Sequence, residues 1–141
     1  MTERGDDVLA ANLEASNDQM AAAISQGAEG IAGVQEANRR FHHELLRASG
    51  SPRLRTMLDA IIDMPIIVRS FYLYSRSELE QSLHHHKDLT LAVRAKDGEL
   101  ARQVMQLHLC MSYHRFMQRR REYAPSQQVP IAGPRAERRG R

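Results

Sequence analysis

The feature that most restricts the fold is a three-residue break, Lys96-Asp97-Gly98, set between two long stretches of helical periodicity. Before it, Leu79, Leu83, His86 and Val93 recur at the spacing of one helix face, with Leu89 beside them. After it, Ala101, Val104, Met105 and His108 do the same. Asp97 suits the N-cap of the second helix, because its carboxylate can accept from backbone N–H groups of the first turn. Folded antiparallel about this break, the two helices bring residues equidistant from it to one height. His86 precedes Asp97 by eleven residues and His108 follows it by eleven. Both imidazoles then stand about 16 Å from the turn, at about 1.5 Å rise per residue.

Phase narrows the choice further. His84 and His85 point about 100° and 200° away from His86, so one of the three adjacent histidines faces straight inward. The stripe selects His86, and His85 is assigned no role. Two inward histidines taken alone read equally as core residues hydrogen-bonded to neighbours. Further polar groups on the same side would shift that balance.

The rest of the chain reads as helix as well. Leu9, Leu13, Met20 and Ile24 give a helical period from about Asp6 to Gln26, and Gly27, Gly30 and Gly33 interrupt it. A second helix runs from about Ile31 to Ala48 with Val34, Phe41 and Leu45 inward, and Gly50 is placed to end it. On this helix Asn38 and His42 lie four residues apart on one side, next to the buried face, whereas His43 points to solvent. Ser51-Pro52 is an N-cap followed by proline at the first helical position. Leu54, Met57, Leu58, Ile61 and Ile62 continue at helical spacing, and Pro65 kinks or breaks the element before the run Ile66 to Leu73. Ser75 or Ser77 caps the helix bearing His86, and the last helix extends from Gly98 to about Tyr123. Arg119, Arg120 and Arg121 fall in its final turn, where cations suit the helix dipole. No stretch reads as a strand. The expected fold is all-α, an antiparallel bundle of five or six helices, with residues 1–123 as one domain and 124–141 as a flexible basic tail.

Composition sets bounds on function. A chain of 141 residues, 42% of them hydrophobic, supports one domain with a real core. The net charge of +3 suggests nucleic acid at first, but Arg135, Arg138, Arg139 and Arg141 stand in the tail against Glu137 alone. The body is therefore close to neutral. A lone cysteine, Cys110, excludes an internal disulfide and a thiolate cluster, and its helical setting reads as packing. Neither a signal peptide nor a membrane-length apolar run is present in the sequence, which points to a cytoplasmic protein without membrane contact.

Four polar groups thus converge on inward or near-inward faces of three helices: Asn38, His42, His86 and His108. Three imidazoles and one neutral oxygen suit a borderline divalent cation, Zn²⁺ first, with Ni²⁺, Mn²⁺ or Fe²⁺ as alternatives. Such a set leaves the ion's charge uncompensated, and an anion would be drawn to an open position.

The same residues carry a resemblance. Asn38-Arg39-Arg40-Phe41-His42, the turn Ala48-Ser49-Gly50-Ser51-Pro52-Arg53-Leu54, and the later series His86, Ala92, Asp97, Ala101, Met105, His108 and Leu109 form one pattern. It resembles the FCD (FadR C-terminal) ligand-binding domain of GntR-type bacterial transcription regulators, over about Asp6 to Phe116. The resemblance implies a metal held by the residue at Asn38 and the three histidines, with a small carboxylate effector at or beside it. Asn38 stands where metal-binding members carry Asp, and His85 where Glu often precedes the helix histidine. The family's N-terminal winged-helix domain is missing from the sequence, so the chain is a fragment, is read from a wrong start, or is a stand-alone sensor.

The function expected is effector sensing without catalysis, within a homodimer whose arrangement controls DNA binding through the winged-helix domain of a parent regulator. Arg69, near the Pro65 kink, is a candidate for holding the effector's carboxylate, or else a surface arginine. A metal-dependent hydrolase is the competing class, since three histidines with an open position can activate water. It needs a carboxylate base, and none stands clearly on the inward faces. A bundle with a purely structural metal, or none, is the third alternative.

Overall fold

The structure, a computed structural model, describes residues 3–64 and 69–123, with side chains for 5–64 and 69–121. Five α-helices follow in order: α1 (Glu3–Ser25), α2 (Ile31–Ala48), α3 (Pro52–Ile62), α4 (Arg76–Arg94) and α5 (Gly98–Tyr123). Short 3₁₀ turns at Gly27–Gly30 and Phe71–Leu73 connect α1 to α2 and lead into α4. No strand occurs among the described residues, and the all-α expectation holds. Pro65 with its kink, and the tail 124–141, lie outside the described residues.

The ends of the helices follow local chemistry. Ser51 accepts from the Leu54 N–H, with Pro52 at the first helical position of α3. Ser75 and Glu78 form a reciprocal capping box at the start of α4. Asp97 caps α5 through the Leu100 N–H at 2.9 Å. Gly50 takes φ +69°, a left-handed conformation that glycine adopts without penalty, just beyond α2. Gly30 is required for a different reason: a Cβ there would overlap the Ala23 carbonyl oxygen, so the tight α1–α2 turn admits no side chain. Gly33, read with Gly27 and Gly30 as an interruption after the first helix, lies inside α2.

α1 packs against both α2 and α4, and α5 packs against α4. One core cluster joins Met20, Ile24, Ile31, Val34, Phe71, Leu79 and Leu83; the other joins Leu9, Leu13, Phe41 and Leu89, with Val93, Val104 and Met105 against it. Each fully buried side chain of the size of Leu or Phe contributes about 1.5–3 kcal/mol. α3 departs from expectation. It has no buried residue, and Leu54, Met57 and Ile61 of its apolar stripe are exposed. It is tied to α2 by polar contacts instead, Arg39 to Asp63 at 2.9 Å and His43 Nδ1 to Asp59 at 3.2 Å. Cys110, expected in packing, is exposed as well. Among the described residues, no helix is long and apolar enough to cross a membrane.

Candidate metal centre

The site begins with Phe41, which is fully buried in the second core cluster. Anchored there, α2 turns the next residue, His42, toward α4 and α5. His86 is 1% exposed on α4, and its ring stacks flat on Phe41 at 4.0 Å between centroids. His108, 4% exposed, reaches across from α5 at the height of His86, with ring centroids 4.9 Å apart. The hairpin symmetry about Asp97 is thus realised in space. Nε2 of His42 and Nε2 of His108 stand 3.3 Å apart, and one ring nitrogen from each of the three histidines falls within 4.8 Å of the others.

The His42–His108 separation fits a shared metal ion. Two imidazole nitrogens at about 2.05 Å from a tetrahedral Zn²⁺ stand about 3.3 Å apart. Protonation also fits. Burial, reinforced by the neighbouring imidazoles, lowers His42 to about 4 and His108 to about 3, and pushes His86 well below its usual range. All three are therefore neutral at neutral pH, with lone pairs able to bind a cation. Around the centre, buried ring nitrogens have no partner among the described residues: both nitrogens of His86, Nδ1 of His108 and Nδ1 of His85. Orphaned buried polar atoms are rare without a ligand, ion or solvent role. Among the described residues, no carboxylate joins the three imidazoles within the 4.8 Å group.

The remaining candidates are not among the three residues of that group. Asn38 is half-buried one turn before His42 and lines a cavity of about 180 Å³ with Ala32, Gln35, Arg39, Ile62 and Phe71. Arg69 is exposed and is not among that cavity's lining residues. His43, expected in solvent, is half-buried against Asp59, because α3 covers that side of α2. His85, which received no role, is 7% exposed and meets His108 edge-on at 5.7 Å. Two adjacent histidines can both be buried because α4 is covered on one side by α1 and on another by α5.

Sequence reasoning missed Arg115. It is 4% exposed, one heptad after His108, and its guanidinium donates to the Gln81 side chain across the α4–α5 seam. A face position seven residues beyond a candidate ligand was the available signal. Arg119, read as a dipole cation, bonds Glu78 at 3.0 Å and so ties the same two helices together.

No curated protein and no solved structure gives a match to this chain. The sequence profile of the FCD domain matches residues 1–110. That span takes in α1 to α4, the turn at Asp97, and all three histidines of the centre. The chain belongs to the FCD domain family.

Proposed function

We propose that this chain is the effector-sensing C-terminal domain of a GntR-type transcription regulator, binding one divalent metal and a small organic acid. FCD domains are regulatory, ligand-sensing units of such regulators, and membership makes that class the starting point. The observation that carries the metal reading is the 3.3 Å separation of His42 and His108 Nε2, with His86 completing the group within 4.8 Å. His42, His86 and His108 hold the ion, Zn²⁺ by preference, and Asn38 supplies a weaker fourth oxygen. When bound, the ion supplies an uncompensated positive charge in the bundle interior, where charge is costly.

The chain's own residues shape what that charge attracts. Phe41 fixes the His86 ring and keeps one side of the centre apolar. Three neutral imidazoles leave the negative charge to be brought by the effector, so a hydroxy- or dicarboxylic acid is favoured over a neutral ligand. Binding that prefers one arrangement of a homodimer shifts the regulator between DNA-competent and DNA-released states. DNA itself is held by a winged-helix domain of the parent regulator. Arg69, exposed, plays no part in this assignment. Hydrolysis is disfavoured because, among the described residues, no carboxylate accompanies the imidazoles as a general base.

Thermal unfolding with a panel of small acids tests the proposal. An acid at 100 times its dissociation constant stabilises the metal-loaded protein by about 2.7 kcal/mol. The shift is expected to vanish in stripped protein, and no acid is expected to be turned over. Equal shifts with and without metal would leave the metal a structural role only.

A further inference from the structure

The α4–α5 seam holds a second charged group beyond the three histidines, and its environment is unusual. Arg115 is a guanidinium 4% exposed, yet no ion pair joins it to a carboxylate among the described residues. Its neighbour Arg119, one turn on, bonds Glu78. Arg115 instead donates to the neutral side chain of Gln81 and lies 5.8 Å from the centre of the Tyr74 ring. A buried cation that, among the described residues, meets a neutral amide and a ring face is costly unless an anion accompanies it. Gln81 is itself exposed, so its amide can swing into water at little cost.

Position gives this group a meaning. Arg115 lies one heptad beyond His108 on the same face of α5, and helical side chains lean toward the N-terminus of their helix. The guanidinium meets Gln81, which stands one turn before His85 on α4. The His85 ring, edge-on to His108, carries a buried Nδ1 with no partner. A buried cation and a buried nitrogen without a partner thus lie along one seam, beside the metal centre.

We infer that Arg115, with His85, is the anchor for a second carboxylate of the effector, which displaces the Gln81 side chain, so that the domain selects dicarboxylates over monocarboxylates. This rests on the effector reading above and names the class of acid it takes. One carboxylate goes to the triad and the other to Arg115, whose planar fork matches a carboxylate in two parallel N–H···O bonds.

The test uses the full chain loaded with Zn²⁺, its zinc content measured, and two acids of equal length, succinate and butyrate. Calorimetry is expected to show succinate binding at least tenfold more tightly than butyrate. Arg115→Gln, still holding one zinc, is expected to lose that preference, whereas Arg115→Lys keeps part of it. Gln81→Ala, an exposed substitution safe for folding, is expected to tighten succinate severalfold by removing the competing amide. An unchanged preference in Arg115→Gln, or succinate binding unimproved in Gln81→Ala, would overturn the anchor while leaving the metal site standing. Wild type that holds zinc but binds neither acid would overturn the effector reading, and the anchor with it.

Discussion

The histidine seam and α3 spend their side chains in opposite ways. The seam buries His85, His86, His108 and a guanidinium, with His42 half-buried beside them, and leaves several of the histidine nitrogens without a partner among the described residues. α3 has leucine, methionine and isoleucine at helical spacing but buries none of its residues, and it is tied to α2 by Arg39–Asp63 and His43–Asp59. A chain selected for stability alone would do the reverse. Polar groups are retained in a core where they serve a ligand, since apolar replacements of the same size are neutral or stabilising. On the proposed reading, the contrast marks where this domain gives up stability for function.

Replacing His86 with leucine breaks the contrast most sharply. His86→Leu is expected to weaken metal binding by more than the roughly 10–100-fold typical of losing an outer-shell partner. The stripped variant is nevertheless expected to be at least as stable as stripped wild type, by about 1 kcal/mol, because two orphaned nitrogens leave the core. Chemical denaturation of both stripped proteins checks this; a large loss of stability would mean that His86 is chiefly a packing residue.

Acid is the next lever. His42 is held at about 4 by burial, while the unfolded chain protonates near the ordinary histidine value of about 6.5. Between those values the unfolded state binds the extra proton, so stability rises with pH and is lost as pH falls. For His42 the loss reaches about 3 kcal/mol by pH 4, and His108 and His86 add to it in the same direction. Melting curves of stripped protein from pH 7 to pH 4 are expected to drop steeply, and those of metal-loaded protein to drop later. Flat curves would contradict the burial of neutral imidazoles.

Asn38→Asp sharpens the account from the other side. An anionic oxygen in place of a neutral one is expected to tighten metal binding about tenfold, or about 1.4 kcal/mol, and to shrink the stabilisation by acids. Competition against a chelator reads the first effect, and thermal shift the second. On α3 the expected effects are smallest. Met57→Ser at a 60% exposed position and Asp63→Asn in the exposed Arg39 pair are each expected to change stability by no more than about 0.5 kcal/mol. A larger loss in denaturation would show that α3 is packed against something.

Much of this was legible from residue order. Caps and turns are local, so Ser51, Gly50 and Asp97 declared their helix ends. The equal spacing of His86 and His108 about Asp97 is a one-dimensional quantity that an antiparallel hairpin converts into a contact. Burial was less legible, because it depends on which elements lie over a face. The α3 stripe has the periodicity of a buried face with nothing described upon it. His85 lies off the main stripe, and Arg115 continues the His108 face as a charge; both are buried where α4 and α5 close on each other. Polar residues carry no hydrophobic signal, so the seam that they form emerges only in three dimensions.

Metal content tests the central claim most directly. Elemental analysis of the chain, loaded with Zn²⁺ and then dialysed, is expected to show one equivalent per chain. His42→Ala, His86→Ala and His108→Ala are expected to lose it, while the exposed His84→Ala and His114→Ala keep it. A full equivalent in the three buried-site variants, or loss from the two exposed ones, would contradict the assignment of the centre.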